Sequence, residues 1–444
     1  MASELVARGD TGFEDLLSGL VWNGRKPTEV PKVIARPVDV AGVVEALAVA
    51  RRDGLRVGVR SGGHNWLGVC LRPDGMVIDL SAFRQIEIAP DLSTARVGPG
   101  VTNDVLDAAL ERVGRAFPVG HCPSVGVGGY LLSGGFGWNS GEWGLAGERV
   151  RRVEVVTAAG EVLIADQDEH PDLFWAACGA GMLFPAVVTW FEIELAARPR
   201  HVEWATAVFG REQSRAVADW FATRQEQAPA NVEAALRLCR EGPGEPTLLE
   251  VTVVSFAADR EQADRDLKPW SDAHVQPLSA TRRVGAISDL FAIEDLLHPI
   301  GARYATDNVQ SGEPFRSLLE RLVTAMDRAP SDLSFIGTGV NPAGSPGADG
   351  AFSVASSAFA YPVAIWPDES GDAANDEWVR ETMHDVPLAQ TSYIAETTPE
   401  LHPGGVRDCF SAESWERLTE VRRKYDPDGL LEVGYAGIAD RLGE

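Results

Sequence analysis

Residues 60–68 read RSGGHNWLG, a histidine directly after two glycines, following the alternating stretch Arg56-Val57-Gly58-Val59. Two readings fit: a turn that ends in His64, or backbone that closes on a ligand which the imidazole touches. Residues 118–149, PVGHCPSVGVGGYLLSGGFGWNSGEWGLAGER, carry glycine at positions 120, 126, 128, 129, 134, 135, 137, 141, 144 and 147. So much glycine is costly in backbone entropy. Consecutive N–H groups on such a loop can form a concave nest for phosphate or pyrophosphate. Spacing excludes a dinucleotide-binding fingerprint. Gly126-x-Gly128 lacks a third glycine in place and follows Cys122-Pro123 where a strand is required, and Gly179-Ala180-Gly181 fails the same test. The loops point to a large anionic cofactor without saying which one.

A succession of short elements must position these loops. Gly75–Leu80 and Ala95–Gly98 read as strands, and Asn103–Val113 as a helix, with Val105, Leu106, Ala109, Leu110 and Val113 at helical spacing behind a capping-type Thr102-Asn103 start. Val153–Thr157 and Glu161–Ile164 read as a hairpin about Ala159-Gly160. Pro171–Trp175 opens a short helix with proline in its first turn. Ala186–Leu195 suits a buried strand. From about residue 200 glycine clusters give way to longer helical runs, Glu212–Gln225 and Pro314–Arg328, with β-like stretches at Leu248–Val254 and Phe352–Trp366. Residues 341–350 read as an exposed loop, and Ser414–Lys424 as a charged amphipathic helix stopped by Asp426-Pro427.

The 444 residues predict two or three domains. A formal charge of −25 argues against nucleic acid and anionic membrane surfaces as partners. The five cysteines, 70, 122, 178, 239 and 409, are odd in number and widely spaced, which fits neither a disulfide framework nor a zinc site. The acidic start MASELVARGDTGFEDLLSG lacks the apolar run of a signal peptide, and no 18-residue apolar stretch occurs. A cytoplasmic location is the expectation.

The segments RSGGHNWLG and VGHCPSVGVGGYLLSGGFGWNSGEWGLAGE resemble the PCMH-type FAD-binding fold of the vanillyl-alcohol-oxidase superfamily, and within it the berberine-bridge-enzyme-like oxidases. The likeness runs through VVTAAGEV and DLFWAACGAG to the tail's RRKYDPDG, covering most of residues 27–197 and 405–435. It implies an α+β fold: a two-part FAD-binding domain over residues 1–198 with its core at about 27–197, a substrate domain over 199–404 built on an antiparallel sheet covered by helices, and a segment, 405–444, returning to the FAD domain.

On this resemblance the His64 imidazole bonds to the 8α-methyl of the flavin, and Cys122 matches the second attachment point, at C6 of the ring. Imidazole and thiolate are the side-chain nucleophiles suited to an electron-poor flavin. Ser61, Gly62, Gly63, Asn65 and Gly68 are expected to cradle the pyrophosphate and the ring's edge. Gly126, Gly128, Gly129, Gly134, Gly135 and Gly137 are expected to complete that cradle, while Gly144, Leu145 and Val187 approach the adenosine half or the ring. No metal is expected. Two departures stand out: Glu148 where relatives often have Asp, and Pro185 where they have a flexible glycine.

The implied reaction removes a hydride from an alcohol carbon of a sugar-like or secondary-metabolite substrate and reduces O2 to H2O2. Alternatives are an amine or alkaloid oxidase, an oxidative cyclase, transfer to another acceptor, or a flavin-binding protein without turnover. Such chemistry needs a base, which the family draws from tyrosine or glutamate. Tyr393, Glu396 and Tyr435 are the candidates, Ala395 standing where relatives carry Asn. Tyr393 and Tyr435 also read as core packing, and Glu396 as a solvated surface carboxylate. His121 is a further cleft candidate, and Tyr361 reads as core.

Overall fold

Val33–Pro37, Met76–Asp79 and Val57–Arg60 form the parallel part of a four-stranded sheet, with Ser3–Ala7 antiparallel on the outer edge. The computed structural model describes residues 3–28, 30–271, 275–340, 350–353, 358–386, 389–398, 401 and 405–431. Met76–Asp79 is buried along its whole length, as a central parallel strand requires. Helix Val40–Arg52, capped by Asp39 accepting from the Gly42 amide, lays Val43, Ala46, Leu47 and Ala50 on the sheet at i, i+3, i+4, i+7. The loop RSGGHNWLG leaves the carboxyl end of Val57–Arg60, the end at which open α/β sheets bind ligands.

The second layer is a five-stranded antiparallel sheet in the order Ile86–Ile88, Thr94–Val97, Ala186–Glu194, Val150–Thr157, Val162–Ala165. Its central strand, Ala186–Glu194, is the apolar run expected from sequence. Helix Asn103–Glu111 and the short glycine-rich helix Val127–Leu132 pack over it through Leu106, Leu110, Val127 and Leu131. The strand Ala196–Ala197 pairs back with Arg115–Ala116 before the chain enters the large sheet at His201.

That sheet has nine strands among the described residues, all its pairings antiparallel. Side-chain alternation decides what its two faces do. Leu236, Leu238, Leu249, Val251, Ile336 and Ala360 point to the helices Ser214–Gln227, Phe315–Asp327 and Asp372–His384. Their alternates, among them Glu233, Arg237, Thr252, Gly337 and Tyr361, face the first half of the chain. No helix among the described residues is long and apolar enough to cross a membrane.

Phe352 departs from its expected strand. The strand begins at Ala358, and the segment before it is tied to the first half of the chain, with the Ala351 amide donating to the Trp175 carbonyl (3.1 Å) and the Phe352 amide to that of Cys178 (3.3 Å). The expected loop at 341–350 lies, except for Gly350, outside the described residues. The tail returns. Helix Ala412–Tyr425 buries Leu418, Val421 and Tyr425 in the core that holds Phe174 and Trp175, and the Leu430 carbonyl accepts from the Val57 amide at 2.8 Å.

Candidate active site

The first half of the chain and the open face of the large sheet enclose a cavity of about 1800 Å³. Ser61, Gly62, Gly63, His64, Asn65, Gly68, Cys122, Gly126, Gly128, Gly129, Gly134, Gly137, Gly144 and Leu145 all line it, as do Tyr393 and Glu396 from the far side. Two expected cofactor residues do not reach it. Val187 is fully buried in the core beneath helix Val40–Arg52, because strand alternation turns it from the cavity and presents Ala186 and Val188 instead. Gly135 lies under the Tyr130 ring against Ala146, where it permits packing of the loop. Tyr435 lies outside the described residues.

Two of the glycines show why the loops need this residue type. RSGGH and the 118–129 loop cross backbone to backbone: a Cβ on Gly62 would stand 2.4 Å from the Gly126 amide nitrogen, and one on Gly126 would stand 2.6 Å from that of Gly62. The crossing brings Ser61 to the helix Val127–Leu132, where its hydroxyl accepts from the Gly129 amide at 3.3 Å. Asn65 spends its side-chain oxygen on its own turn, accepting from the Leu67 and Val69 amides at 3.1 and 3.4 Å. Glu148 accepts from the Leu145 amide at 2.9 Å and so holds the Gly144-Leu145 turn against the cavity.

The same crossing sets His64 beside the Cys122 loop. His64 Nε2 and Ser124 Oγ are 2.9 Å apart, and the imidazole stacks on Trp22 with ring centroids separated by 4.8 Å. Burial, then the charges of Arg60 and His298, push the imidazole down to about 3, so it is neutral at any physiological pH. The Cys122 thiol is pushed up by burial and by Glu294, Glu396 and Asp295. Its carbonyl accepts from Asn103 Nδ2 at 3.0 Å. No two cysteines are joined among the described residues.

Glu396 is not a solvated carboxylate. It lines the cavity and its charge acts on Cys122, His121, Tyr361 and Tyr393. Burial raises it to about 7, against a smaller opposing pull from His121. A carboxylate so poised can accept a proton at neutral pH. Tyr393 is buried, edge-on to Phe136 at 5.0 Å, and its phenol is pushed well up by burial and then by Glu396, with the Gly135 and Phe136 backbone pulling the other way. It can donate a hydrogen bond but is a poor base. His121 pairs with Glu233 at 2.6 Å; burial opposes protonation, yet Glu233, Glu294 and Glu396 outweigh it and raise the imidazole. Tyr361 is a cavity wall rather than core.

Several residues were missed in the sequence. Asn308, buried in the motif Thr306-Asp307-Asn308, clamps Tyr393 with both ends of its amide, donating to the carbonyl at 2.9 Å and accepting from the N–H at 2.6 Å. Asn23 does the same to Tyr304, at 3.0 Å in each direction, and also donates to the Trp66 carbonyl at 2.8 Å. Glu294 and His298 line the cavity as an i, i+4 pair at the end of helix Ile287–Leu297. That spacing was readable; its direction into the cavity was not.

A family profile described as FAD binding domain matches residues 31–166, a span that holds both His64 and Cys122. The chain is 28% identical over 425 residues to the FAD-linked oxidoreductase janO of Penicillium janthinellum, covering 92% of each chain. It is 36% identical over 210 residues to the (R)-6-hydroxynicotine oxidase of Paenarthrobacter nicotinovorans, covering 46% of this chain and 45% of that one. The solved structure of BBE-like 1 from Physcomitrella patens superposes with a TM-score of 0.85 at 19% identity, covering 98% of this chain and 96% of the other. The chain carries an FAD-binding domain, is similar along nearly its whole length to an FAD-linked oxidoreductase, and has the fold of the BBE-like 1 structure. The residues of this chain fit the cofactor. Crossed glycine loops leave their backbone facing the cavity, where a Cβ on Gly128 would meet Pro99 at 2.8 Å and one on Gly129 would point into open space.

Proposed function

We propose that this oxidoreductase holds FAD by two covalent bonds, at His64 and Cys122, and oxidises an alcohol carbon of a sugar-like or secondary-metabolite substrate with release of hydrogen peroxide. FAD supplies the hydride acceptor and the route to dioxygen. The chain supplies the rest. His64, neutral and stacked on Trp22, is the nucleophile for the first tether. Ser61 and the glycines at 62, 63, 126, 128 and 129 hold the anionic half. Glu396 takes the hydroxyl proton as the hydride leaves. Phe335 and Tyr361 offer flat apolar surfaces to a substrate ring from the large sheet's side, and Trp66 another from the His64 loop.

The observation that carries this reading is Glu396, poised at about 7 in the cavity that also holds His64 and Cys122. Loss of a hydride from an alcohol requires loss of its proton, whereas a neutral amine needs no base, so a poised carboxylate favours the alcohol. The names of the relatives lend both classes, a xylooligosaccharide oxidase and a hydroxynicotine oxidase. The test is peptide mapping of the acid-denatured holoprotein, followed by anaerobic mixing with candidate alcohols and amines. Flavin on the His64 and Cys122 peptides, bleached by an alcohol and recoloured by air with peroxide formed, is the expected result. Flavin that washes out in acid would overturn the tethers, and bleaching by amines alone would overturn the substrate class.

A further inference from the structure

We propose that Glu294 and His298 take the thiol proton of Cys122 as its sulfur bonds to the flavin, and so install the second tether. This rests on the reading of Cys122 as an attachment point. Cys122 Sγ, a ring nitrogen of His298 and a carboxylate oxygen of Glu294 all lie within 4.8 Å of one another. The three come from opposite halves of the chain and meet at the cavity.

The thiolate, not the thiol, is the nucleophile, and the surroundings of Cys122 oppose it. Burial is the largest effect, and Glu294, Asp295 and Glu396 add repulsion. The thiol must therefore lose its proton at the moment of attack, to a group already beside it. Glu396 and Asp295 also act on Cys122 but lie outside the three-residue cluster, and burial keeps the phenols of Tyr304 and Tyr361 protonated. His121 is committed to Glu233.

His298 is built for the task. It is 9% exposed, stacked near Tyr304 and edge-on to Phe335. Its Nδ1 donates to the Glu294 carbonyl at 3.0 Å, which fixes the tautomer and leaves Nε2 as the basic nitrogen. The Glu294 carboxylate, 3.6 Å from the ring, stabilises the imidazolium once the proton arrives. In balance, the S–H bond of Cys122 and the C6–H bond of the flavin ring break and an S–C6 bond forms. Dioxygen takes the two electrons and two protons as hydrogen peroxide.

The test uses holoprotein expressed and purified without oxygen, then aerated and sampled by peptide mapping, for the wild type, His298→Ala and Glu294→Gln. The wild type is expected to join flavin to the Cys122 peptide on aeration. Both variants keep the His64 link but join Cys122 at least about tenfold more slowly at pH 7. His298→Ala recovers about tenfold per pH unit as the thiolate fraction climbs. A variant that cross-links at the wild-type rate, or one whose defect alkali does not relieve, overturns the proton-acceptor role while leaving the tether in place. A wild type with flavin on His64 alone removes the tether itself and the inference with it. Stoichiometric zinc in the acid supernatant would assign the three side chains to a metal and overturn the inference.

Discussion

At the scale of single residues the site depends on where protons rest. As the proposed base, Glu396 must be charged to act, so kcat/KM of the wild type should rise with pH and level off above about 7. Glu396→Gln should lower it by about 100-fold or more and flatten the profile. An unchanged profile would exclude this carboxylate as the base. The same group gives a second expectation, in stability. Its folded value, about 7, lies above its ordinary value of 4.5, so between those limits the folded state binds the proton more tightly than the unfolded chain does. Stability therefore falls as pH rises through this window, and the neutral glutamine abolishes that loss. Glu396→Gln should melt higher than the wild type at pH 8 and no higher at pH 4.5; a gain at both pH values would point to packing instead.

At the scale of elements, two loops crossing backbone to backbone set His64 beside Ser124 on the Cys122 loop. Gly126→Ala puts a methyl group 2.6 Å from the Gly62 amide nitrogen, so the loops must part. Lower melting temperature and less FAD incorporated into the purified protein should appear together. Gly129→Ala meets nothing within 4 Å and should keep the wild-type melting temperature, though its methyl group points toward the cofactor's space. Equal melting losses in the two variants would mean that the crossing is not what these glycines serve. This crossing also shows what was legible. The glycine run announced close approach of backbone to something, and the partner of Gly62 proved to be another glycine loop as well as open cavity. Strands such as Ala186–Glu194 could be read because apolar alternation and length are local. Phe352 was misplaced because two hydrogen bonds to residues 175 and 178 override its strand-like run. Glu396 and Tyr361 read as surface and core because one carboxylate or phenol carries no mark of which wall it will face. Glu294 and His298 carried a helical i, i+4 signature without its direction.

At the scale of the whole molecule, the cavity exists only because three distant stretches close on it. Asn23 ties the first half to the large sheet at Trp66 and Tyr304, and Glu233 ties the sheet back to His121 and the Asn139 amide. The tail is the third closure. Arg422 donates to the Leu183 carbonyl at 2.6 Å and to Leu431 at 3.0 Å, while Asp426 accepts from the Leu430 and Leu431 amides at 2.7 and 3.0 Å. Together they hold Leu430 and Leu431 against Val57, the strand that feeds the His64 loop. The Asp426 side chain is completely shielded from solvent and Arg422 nearly so, at 0% and 10% exposure. Removing the cation strands a buried carboxylate, which costs about 3–5 kcal/mol. Lys424, two residues away, pairs with Asp172 at the surface, a contact worth about 1 kcal/mol or less. Arg422→Ala should therefore lose several-fold more unfolding free energy in urea than Lys424→Ala, and shed FAD from a His64→Ala, Cys122→Ala background that removes both proposed tethers. If the two variants unfold alike, the tail rests on its apolar face of Leu418, Val421 and Tyr425, and the buried pair only sets its register.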